Sequence, residues 1–329
     1  MKKLLALLLV ILAGAGVASY ELGYLGRWIG HARVEVTPRD SAMLAFFPRD
    51  AKGLGGFQVP LAQPAGKLGD RLRDLARDLE DVTGVRVAFD VDTIVGDADV
   101  QVARGRFNWA KMSERLAANG YQLTNEARRP LAVRKDGDAL CVDGEYLLHG
   151  PFEHVKAALD RRADGSGGNE KSRLAIDLDA IGWSHAAFGV VRLSEDGTSV
   201  AQVLKGEAPV RAIGASIDTT PNSFLVGVAI RASSTGSASD IAGEAERAKK
   251  AVLDELAKST DPDANRLKPV IESITIRAEG PVVRLGVTIP SELVDRGFER
   301  SQELGGQLRN AVMGAASSAF GSLLGAFGR

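Results

Sequence analysis

Residues 85–123, VRVAFDVDTIVGDADVQVARGRFNWAKMSERLAANGYQL, contain the clearest succession of strand and helix patterns in the chain. Apolar and polar residues alternate over 85–90, which predicts a half-buried strand. Gly96-Asp97 predicts a turn, after which the alternation resumes at residues 100–102. The first part of the stretch therefore predicts two strands joined by a turn.

The second part of the stretch predicts a helix with one apolar face. Asn108 can cap its first turn, and Asn119-Gly120 ends it before a further strand. The whole stretch predicts a β-β-α-β unit. We expect it to be the folding centre of a first domain, through the apolar residues Val100, Val102, Phe107, Trp109, Met112 and Leu116.

Composition and charge limit the class of protein. The 329 residues are 45% hydrophobic and 25% charged, which is typical of a globular chain with room for two domains. Lys and Arg total 41 against 42 for Asp and Glu, so the net charge of -1 gives no field that would attract nucleic acid. The one cysteine, Cys141, can form no intrachain disulfide and is predicted to be a small apolar residue in a strand.

The N-terminus has the pattern of an export segment. Lys2 and Lys3 precede an uncharged, mostly aliphatic run over residues 4–20. We favour its retention as an anchor, and the alternative is cleavage near residues 13–15 or 17–18, which would secrete the chain. With the lysines in the cytoplasm, the bulk of the chain would lie in the periplasm or outside, held at the inner membrane.

We predict an α+β fold with two tandem domains of antiparallel sheet and packed helices, after an N-terminal signal peptide or transmembrane anchor at residues 1–30. The linker is placed at 163–171, ADGSGGNEK, because this segment is small and polar. The first domain is then 31–162 and the second is 172–305. Residues 306–329 form a Gly/Ala-rich apolar tail.

Further elements follow from local patterns in the first domain. We predict a buried strand at Ala42–Phe47, a loop at Gly53–Pro64 and a helix at Leu68–Val82. Pro151 opens another helix. Short antiparallel strands are predicted at Pro130–Val133, Ala139–Val142 and Tyr146–His149.

The second domain shows the same mixture of strands and helices. A capping box at Ser237 and Asp240 predicts a long helix, and another helix begins at about Ser291. The predicted strands are Ala186–Leu193, Val210–Asp218, Ser223–Ile230, Ile271–Ala278 and Val282–Ile289.

Histidine and cysteine offer two candidate sites. Only His149 and His154 are close in sequence among the four histidines, and their spacing does not match a zinc motif. Cys141 and His149 could form a nucleophile and its base, but no third group orients them. We predict no metal, cofactor-binding or catalytic residue here.

A serine motif also needs consideration. Gly182–Ala186, GWSHA, approximates the G-x-S-x-G nucleophile elbow around Ser184. The elbow requires a helix after the serine, whereas residues 187–193 are predicted to form a strand. A structural role is therefore the favoured interpretation.

Charged residues of the opening stretch suggest two further sites. Arg104 and Arg106 could bind an anion, although paired arginines at a strand end mostly meet neighbouring carboxylates. A calcium loop is suggested by four acidic residues, but their spacing fails the EF-hand pattern at two places. These residues are Asp90, Asp92, Asp97 and Asp99.

The apolar tail has two interpretations. Residues 311–327 carry no charge, and Gly321 and Gly325 have the spacing of small residues in paired membrane helices. The tail could lie on a membrane or pair with another helix. The alternative is a helix packed on the second domain or a frayed terminus.

Three segments carry a resemblance to known proteins. They are SAMLAFFPRDA at residues 41–51, ARGRFNWAKMSERLAANGY at 103–121 and DGEYLLHGPFEHVKAALD at 143–160. Over Ser41–Asp160 the chain resembles uncharacterised exported or membrane-anchored bacterial proteins with tandem α+β domains. The resemblance implies a location and a fold, and it implies no activity.

The sequence therefore predicts a non-enzymatic, exported and membrane-anchored envelope protein with a binding or scaffolding role. Its partners would be the membrane, through the N-terminal segment, and an envelope protein or lipid, with no nucleic acid and no cofactor. One alternative is a periplasmic hydrolase with an unrecognised site. Another is a membrane-surface or lipid-binding protein that acts through residues 306–329.

Overall fold

The structure is a computed structural model. It describes residues 41–59, 76–97, 99–126, 129–169, 171–181, 185–192, 210–220, 222–258 and 262–293. The predicted anchor at 1–30 and the tail at 306–329 lie outside the described residues, as does most of the predicted helix at Leu68–Val82. Among the helices of the described part, none has the length and apolar character needed to cross a membrane.

The described strands all belong to one antiparallel sheet. In chain order they are β1 (Gly53–Gln58), β2 (Val91–Gly96), β3 (Gln101–Gly105), β4 (Gln122–Glu126), β5 (Arg129–Val133), β6 (Asp138–Asp143), β7 (Tyr146–Pro151), β8 (Ala187–Arg192), β9 (Val210–Thr219), β10 (Ser223–Ala232), β11 (Thr275–Glu279) and β12 (Val282–Pro290). Their spatial order is β11-β12-β10-β9-β8-β1-β2-β3-β7-β6-β5-β4. The prediction of an α+β chain with antiparallel sheet is confirmed.

Helices cover both faces of this sheet. They are a 3-10 helix at Ala42–Phe46 and the α-helices α1 (Val87–Asp90), α2 (Trp109–Ala118), α3 (Phe152–Asp164), α4 (Arg173–Ile181), α5 (Thr235–Lys258) and α6 (Pro262–Glu272). Residues 76–83 and 291–293 are also helical.

The strands of the two predicted domains occupy separate parts of the sheet. Strands β1–β7 are contiguous, β8–β12 are contiguous, and the two groups meet where β1 pairs with β8. There Gly53–Phe57 lies antiparallel to residues 187–191. The two halves of the chain therefore share one backbone ladder.

Two apolar layers hold the helices to the sheet. On the front face, which includes Leu54, Val102 and Leu148, the sheet is covered by the 3-10 helix, α3 and α4. On the back face, which includes Ile94 and Leu147, it is covered by residues 76–83 and α2. Helix α5 packs on the back face of β10–β12.

The helix in the opening stretch is as predicted. Asn108 Oδ1 accepts a hydrogen bond from the Lys111 backbone N–H at 3.3 Å, which caps α2. Met112 and Leu116 are buried at steps of four residues. Gly120 adopts a φ of 84° and ends the helix before β4.

The predicted strand at the start of that stretch is wrong. Residues Val87–Asp90 form the single helical turn α1, and the strand begins afterwards at Val91. The Asp90 carboxylate accepts from the Arg86 backbone N–H at 2.9 Å, and the Asp90 N–H donates to the Arg86 carbonyl at 2.8 Å. These two hydrogen bonds join the first and last residues of the turn. They favour a helical turn over the extended strand that the alternating pattern predicts.

Two other elements of the first half are also corrected. Ala42–Phe46, predicted to be a strand, is a 3-10 helix with Met43, Leu44 and Phe46 buried, because a short apolar run does not distinguish a buried helix from a buried strand. Gly53–Gln58, predicted to be loop, is the strand β1 between β8 and β2. Its glycines allow neighbouring strands to approach closely.

The second half follows its predicted order with shifted bounds. Helix α5 begins at Thr235, ahead of the predicted cap, and the Ser234 hydroxyl accepts from the Ser237 N–H at 3.1 Å. Helix α6 was not predicted, and it occupies the first residues assigned to the strand Ile271–Ala278.

In the first half of the chain, the β5–β6–β7 meander and α3 lie where they were predicted.

The predicted linker is packed against the first half. Gly167 and Gly168 are buried, and the Gly168 N–H donates to the Phe47 carbonyl at 2.9 Å. The Arg49 side chain donates to the carbonyls of Gly165 and Gly167 at 2.7 and 3.0 Å. These contacts fix the path between α3 and α4.

Candidate functional site

The candidate site with the most distinctive geometry joins His185 to Asp218. His185 Nδ1 lies 2.7 Å from Asp218 Oδ2, and Asp218 Oδ1 accepts from the Ala186 backbone N–H at 2.9 Å. His185 precedes β8 and Asp218 lies near the end of β9. The antiparallel pairing of these strands brings the two residues together across 33 positions of sequence.

This arrangement holds the imidazole in one orientation. An ionised carboxylate only accepts hydrogen bonds, so Nδ1 of His185 carries the proton of this contact. Histidines that act as bases or bind metals are often oriented by a carboxylate in this way. Both side chains are partly exposed, at 28% for His185 and 36% for Asp218, so solvent reaches the pair.

The serine motif that contains His185 lacks the helix that it needs. Residues 182–184, including Ser184, lie outside the described residues. The chain after His185 enters β8, as the sequence predicts, rather than a helix. Two hydroxyls near Asp218 are engaged with each other, because Thr220 Oγ1 and Ser223 Oγ lie 2.8 Å apart in the β9–β10 turn.

The nucleophile–base pair of Cys141 and His149 that was considered from the sequence does not form. Cys141 pairs with Leu148 on β7, whereas His149 pairs with Leu140, so the two side chains lie on opposite faces of the sheet. Burial raises the pKa of the Cys141 thiol to about 12, which keeps it protonated. Cys141 is therefore a small buried core residue, as the sequence predicts.

His149 is an internal polar residue. Its Nδ1 lies 2.8 Å from Gln101 Oε1, and both side chains are buried on the back face. Burial lowers the pKa of His149, which favours the neutral imidazole.

His154 lies on α3, with its Nδ1 3.5 Å from Asp99 Oδ2. Within the described ranges no group of three or more metal-ligating side chains occurs.

Three of the four aspartates of the opening stretch have carboxylates that contact residues of that same stretch, and the fourth, Asp99, lies near His154. Asp90 closes the α1 turn, and Asp97 Oδ1 accepts from the N–H groups of Asp99 and Val100 at 2.9 and 2.8 Å. Burial raises the pKa of Asp97. Asp92 lies 3.8 Å from Arg104 Nε.

The two arginines suggested as an anion site differ in environment. Arg104 is buried, and its Nη2 lies 3.4 Å from Thr93 Oγ1, which in turn donates to Gln58 Oε1 at 2.6 Å. Arg106 is exposed and contacts the Phe89 carbonyl at 3.4 Å. Arg104 meets a carboxylate and a polar strand neighbour, in line with the structural interpretation of this pair.

Sequence reasoning missed two ionic clusters that tie helices to the sheet, one around the buried Asp177 and one around the half-buried Asp143. Asp177 on α4 pairs with Arg192 at 3.2 Å and makes a short contact with Arg231. Arg162 on α3 donates to Asp143 at 2.9 Å and lies 4.4 Å from the ring centroid of Tyr146. Because these charges neutralise one another, we assign both clusters to structure.

Comparison with known proteins gives a broad structural similarity. No protein-family model matches the chain, and no curated protein matches it significantly. Solved structures that resemble it include crystal forms III, I and IV of TP0453, with TM-scores of 0.46, 0.43 and 0.44 at 10% identity. They cover 77%, 80% and 77% of this chain and 96%, 97% and 94% of TP0453. This degree of similarity assigns no function.

Proposed function

We propose that this chain is a non-enzymatic protein of the cell envelope, exported, held at the inner membrane by residues 1–30, and active in binding or scaffolding. The observation that carries the proposal is the pair Lys2 and Lys3 followed by the uncharged aliphatic run over 4–20. The rest of the chain would then lie in the periplasm. Its partners would be an envelope protein or a lipid.

The ion pairs of Asp177 and Asp143 in the described part support a structural rather than a catalytic use of its polar groups. Asp177 is 4% exposed and is neutralised by two arginines that reach it from β8 and β10. Asp143 receives Arg129 at 3.2 Å and Arg162 at 2.9 Å. Two cationic partners on each carboxylate hold it between a helix and the sheet, which is a structural use of these charges.

Fractionation with an alkaline wash, followed by N-terminal sequencing, tests the location. An anchored chain stays with the membrane pellet and begins at its first residues. A chain that is released by the wash and begins after residue 15 or 18 would reject the anchor and favour secretion. Recovery in the cytosolic fraction would reject export altogether.

We also propose that residues 31–162 and 172–305 are tandem domains that join edge to edge. Each contributes a contiguous group of strands, and the junction is the ladder between β1 and β8. Expressing the two segments separately tests this division. Cooperative unfolding of each segment alone would support it, and failure of either to fold would reject it.

A periplasmic hydrolase is the second candidate, and the His185–Asp218 pair is the observation that favours it. A histidine with Nδ1 fixed by a carboxylate could act as a general base through Nε2. The test is turnover of ester, amide and phosphoester probes by the chain lacking residues 1–30. Activity that is lost in both His185→Gln and Asp218→Asn, and kept in the control His154→Gln, would favour the hydrolase.

The third candidate is a membrane-surface or lipid-binding protein that acts through the tail. Residues 311–327 are uncharged and mostly small or apolar. Binding to vesicles of phosphatidylethanolamine and phosphatidylglycerol would be compared for chains with and without residues 306–329. Equal binding by both chains would reject the tail as the contact.

A further inference from the structure

Strand β11 forms an open edge of the sheet. It is the terminal strand in the order of the described strands, and its neighbour on the inner side is β12. Thr275, Arg277, Ala278 and Glu279 are all exposed. Exposure of a residue as small as Ala278 shows that none of the described residues covers this edge. An open edge presents backbone N–H and C=O groups that can pair with another strand.

The charges on this edge are incompletely matched within the chain. Arg277 lies directly opposite Arg284 in the β11–β12 ladder. Glu279 Oε2 accepts from Arg284 Nε at 2.9 Å, whereas Arg277 takes part in no ion pair of the described part. Like charges directly opposite each other on neighbouring strands are destabilising. Among the described residues, no carboxylate therefore pairs with Arg277.

A second copy of β11 can supply that carboxylate through its Glu279. In an antiparallel pair centred on Ala278, Arg277 of one copy lies opposite Glu279 of the other, and the same pair recurs on the other side of the axis. The arrangement is isologous, which is the symmetry of most homodimers. We propose that the chain forms a homodimer in which two β11 strands pair about Ala278 and extend the sheet across both copies.

The backbone geometry suits this register. Glu279 and Val282 are joined by a two-residue loop, so they form a hydrogen-bonded pair whose N–H and C=O groups face each other. The N–H and C=O groups of Ala278, one residue away, then point to the open edge. Two Ala278 residues can exchange both hydrogen bonds at the axis. Arg277 and Glu279 fall at the neighbouring non-hydrogen-bonded positions, where cross-strand side chains approach most closely.

Cysteine cross-linking in cells tests the register with the full chain. In the proposed pair the Cα atoms of Ala278 are about 5.5 Å apart, within the range of a disulfide. Mild oxidation of cells that express Ala278→Cys should give a covalent dimer of this chain. The control Thr275→Cys is also exposed, but its two copies would lie about 20 Å apart along the strands, so it should give none. The native Cys141 is buried and does not interfere.

Charge reversal tests the proposed pairing of Arg277 with Glu279 across the axis. The readout is again the covalent dimer formed by Ala278→Cys. Arg277→Glu or Glu279→Arg alone should weaken self-association about tenfold or more, because each change turns two attractive pairs into repulsive ones. The double variant with both changes restores opposite charges across the axis and should restore the dimer. All variants alter exposed residues. Glu279→Arg also removes the exposed contact with Arg284, and because surface ion pairs contribute little to stability, the urea midpoints should stay close to that of the parent chain.

Three cross-linking results would overturn the proposal. They are equal cross-linking at positions 275 and 278, a double variant as weak as the single ones, and a cross-linked band whose mass shows a different protein. A chain that stays monomeric throughout would overturn it as well, and would assign the charges of β11 to the prevention of edge pairing.

Discussion

Substitution of Gly56 by alanine tests the central place of β1 in the sheet. Gly56 pairs with Val95 on β2 and with Phe188 on β8, so it lies on the ladder that joins the two halves. A Cβ atom at this position would overlap the Ile94 carbonyl oxygen and would lie 3.0 Å from Phe188 Cζ. We therefore expect Gly56→Ala to push β1 away from its neighbours.

The expected change in the free energy of unfolding combines two destabilising contributions with one stabilising contribution. Overpacking in a well-packed core costs about 1–3 kcal/mol. Displacement of β1 would also weaken a backbone hydrogen bond, at about 1 kcal/mol. Alanine stabilises by about 0.4–1 kcal/mol through the lower entropy of the unfolded chain. The net loss in the free energy of unfolding should be about 1–3 kcal/mol.

Urea unfolding followed by circular dichroism measures this loss. The matched control is Gly243→Ala in α5, where the nearest atom to a Cβ would be Arg247 Nη1 at 3.7 Å, the end of a flexible side chain. That change should stabilise by up to about 1 kcal/mol, because alanine has the higher helix propensity. A Gly56→Ala chain as stable as the parent would refute the close packing of β1 against β2.

Three more predictions concern residues in the two cores. Leu116 is fully buried, so Leu116→Asn should cost about 3 kcal/mol or more in the same urea assay, and parental stability would contradict the packing of α2. Burial lowers the pKa of His149, so the unfolded chain binds that proton more readily, and the free energy of unfolding should fall as the pH drops below about 6.5. His149→Gln should show a smaller drop in Tm than the parent between about pH 8 and about pH 5, and an unchanged drop would contradict the neutral buried imidazole. Burial raises the pKa of Cys141 to about 12, so iodoacetamide at neutral pH should label the chain only after urea unfolds it, and rapid labelling of the folded chain would contradict the buried thiol.

Elements set by short-range chemistry were predictable from the sequence. Helix α2 has its cap at Asn108, its apolar face at Met112 and Leu116, and its end at Gly120, all within a dozen residues. The β5–β6–β7 meander likewise depends on tight turns, since the Gly137 and Gly144 backbones adopt φ values of 97° and 66°. Patterns of this kind need no information from distant parts of the chain.

The His185–Asp218 contact was not predictable, because the register of β8 against β9 creates it. Asp218 looks in the sequence like a polar residue at a strand end, and His185 looks isolated. The only available sign was that both residues flank predicted strands. The pairing of Ala187 with Ile217 brings their neighbours Ala186 and Asp218 within hydrogen-bond distance. A contact that depends on strand register can be predicted only once the strand order and the register are known.

The error at β1 has the same origin in long-range contacts. Glycine is a poor strand former in isolation, so Gly53–Gln58 had the pattern of a loop. In the sheet, the space beside Gly56 is occupied by the Ile94 carbonyl oxygen of β2 and by Phe188 of β8, which lies more than a hundred positions away in sequence. Gly227 repeats this on β10, where a Cβ would lie 2.5 Å from Ser216 Oγ on β9. Gly56 and Gly227 are therefore sites where a neighbouring strand's carbonyl oxygen or side chain fills the gap, and that neighbour is known only once the strand order is known.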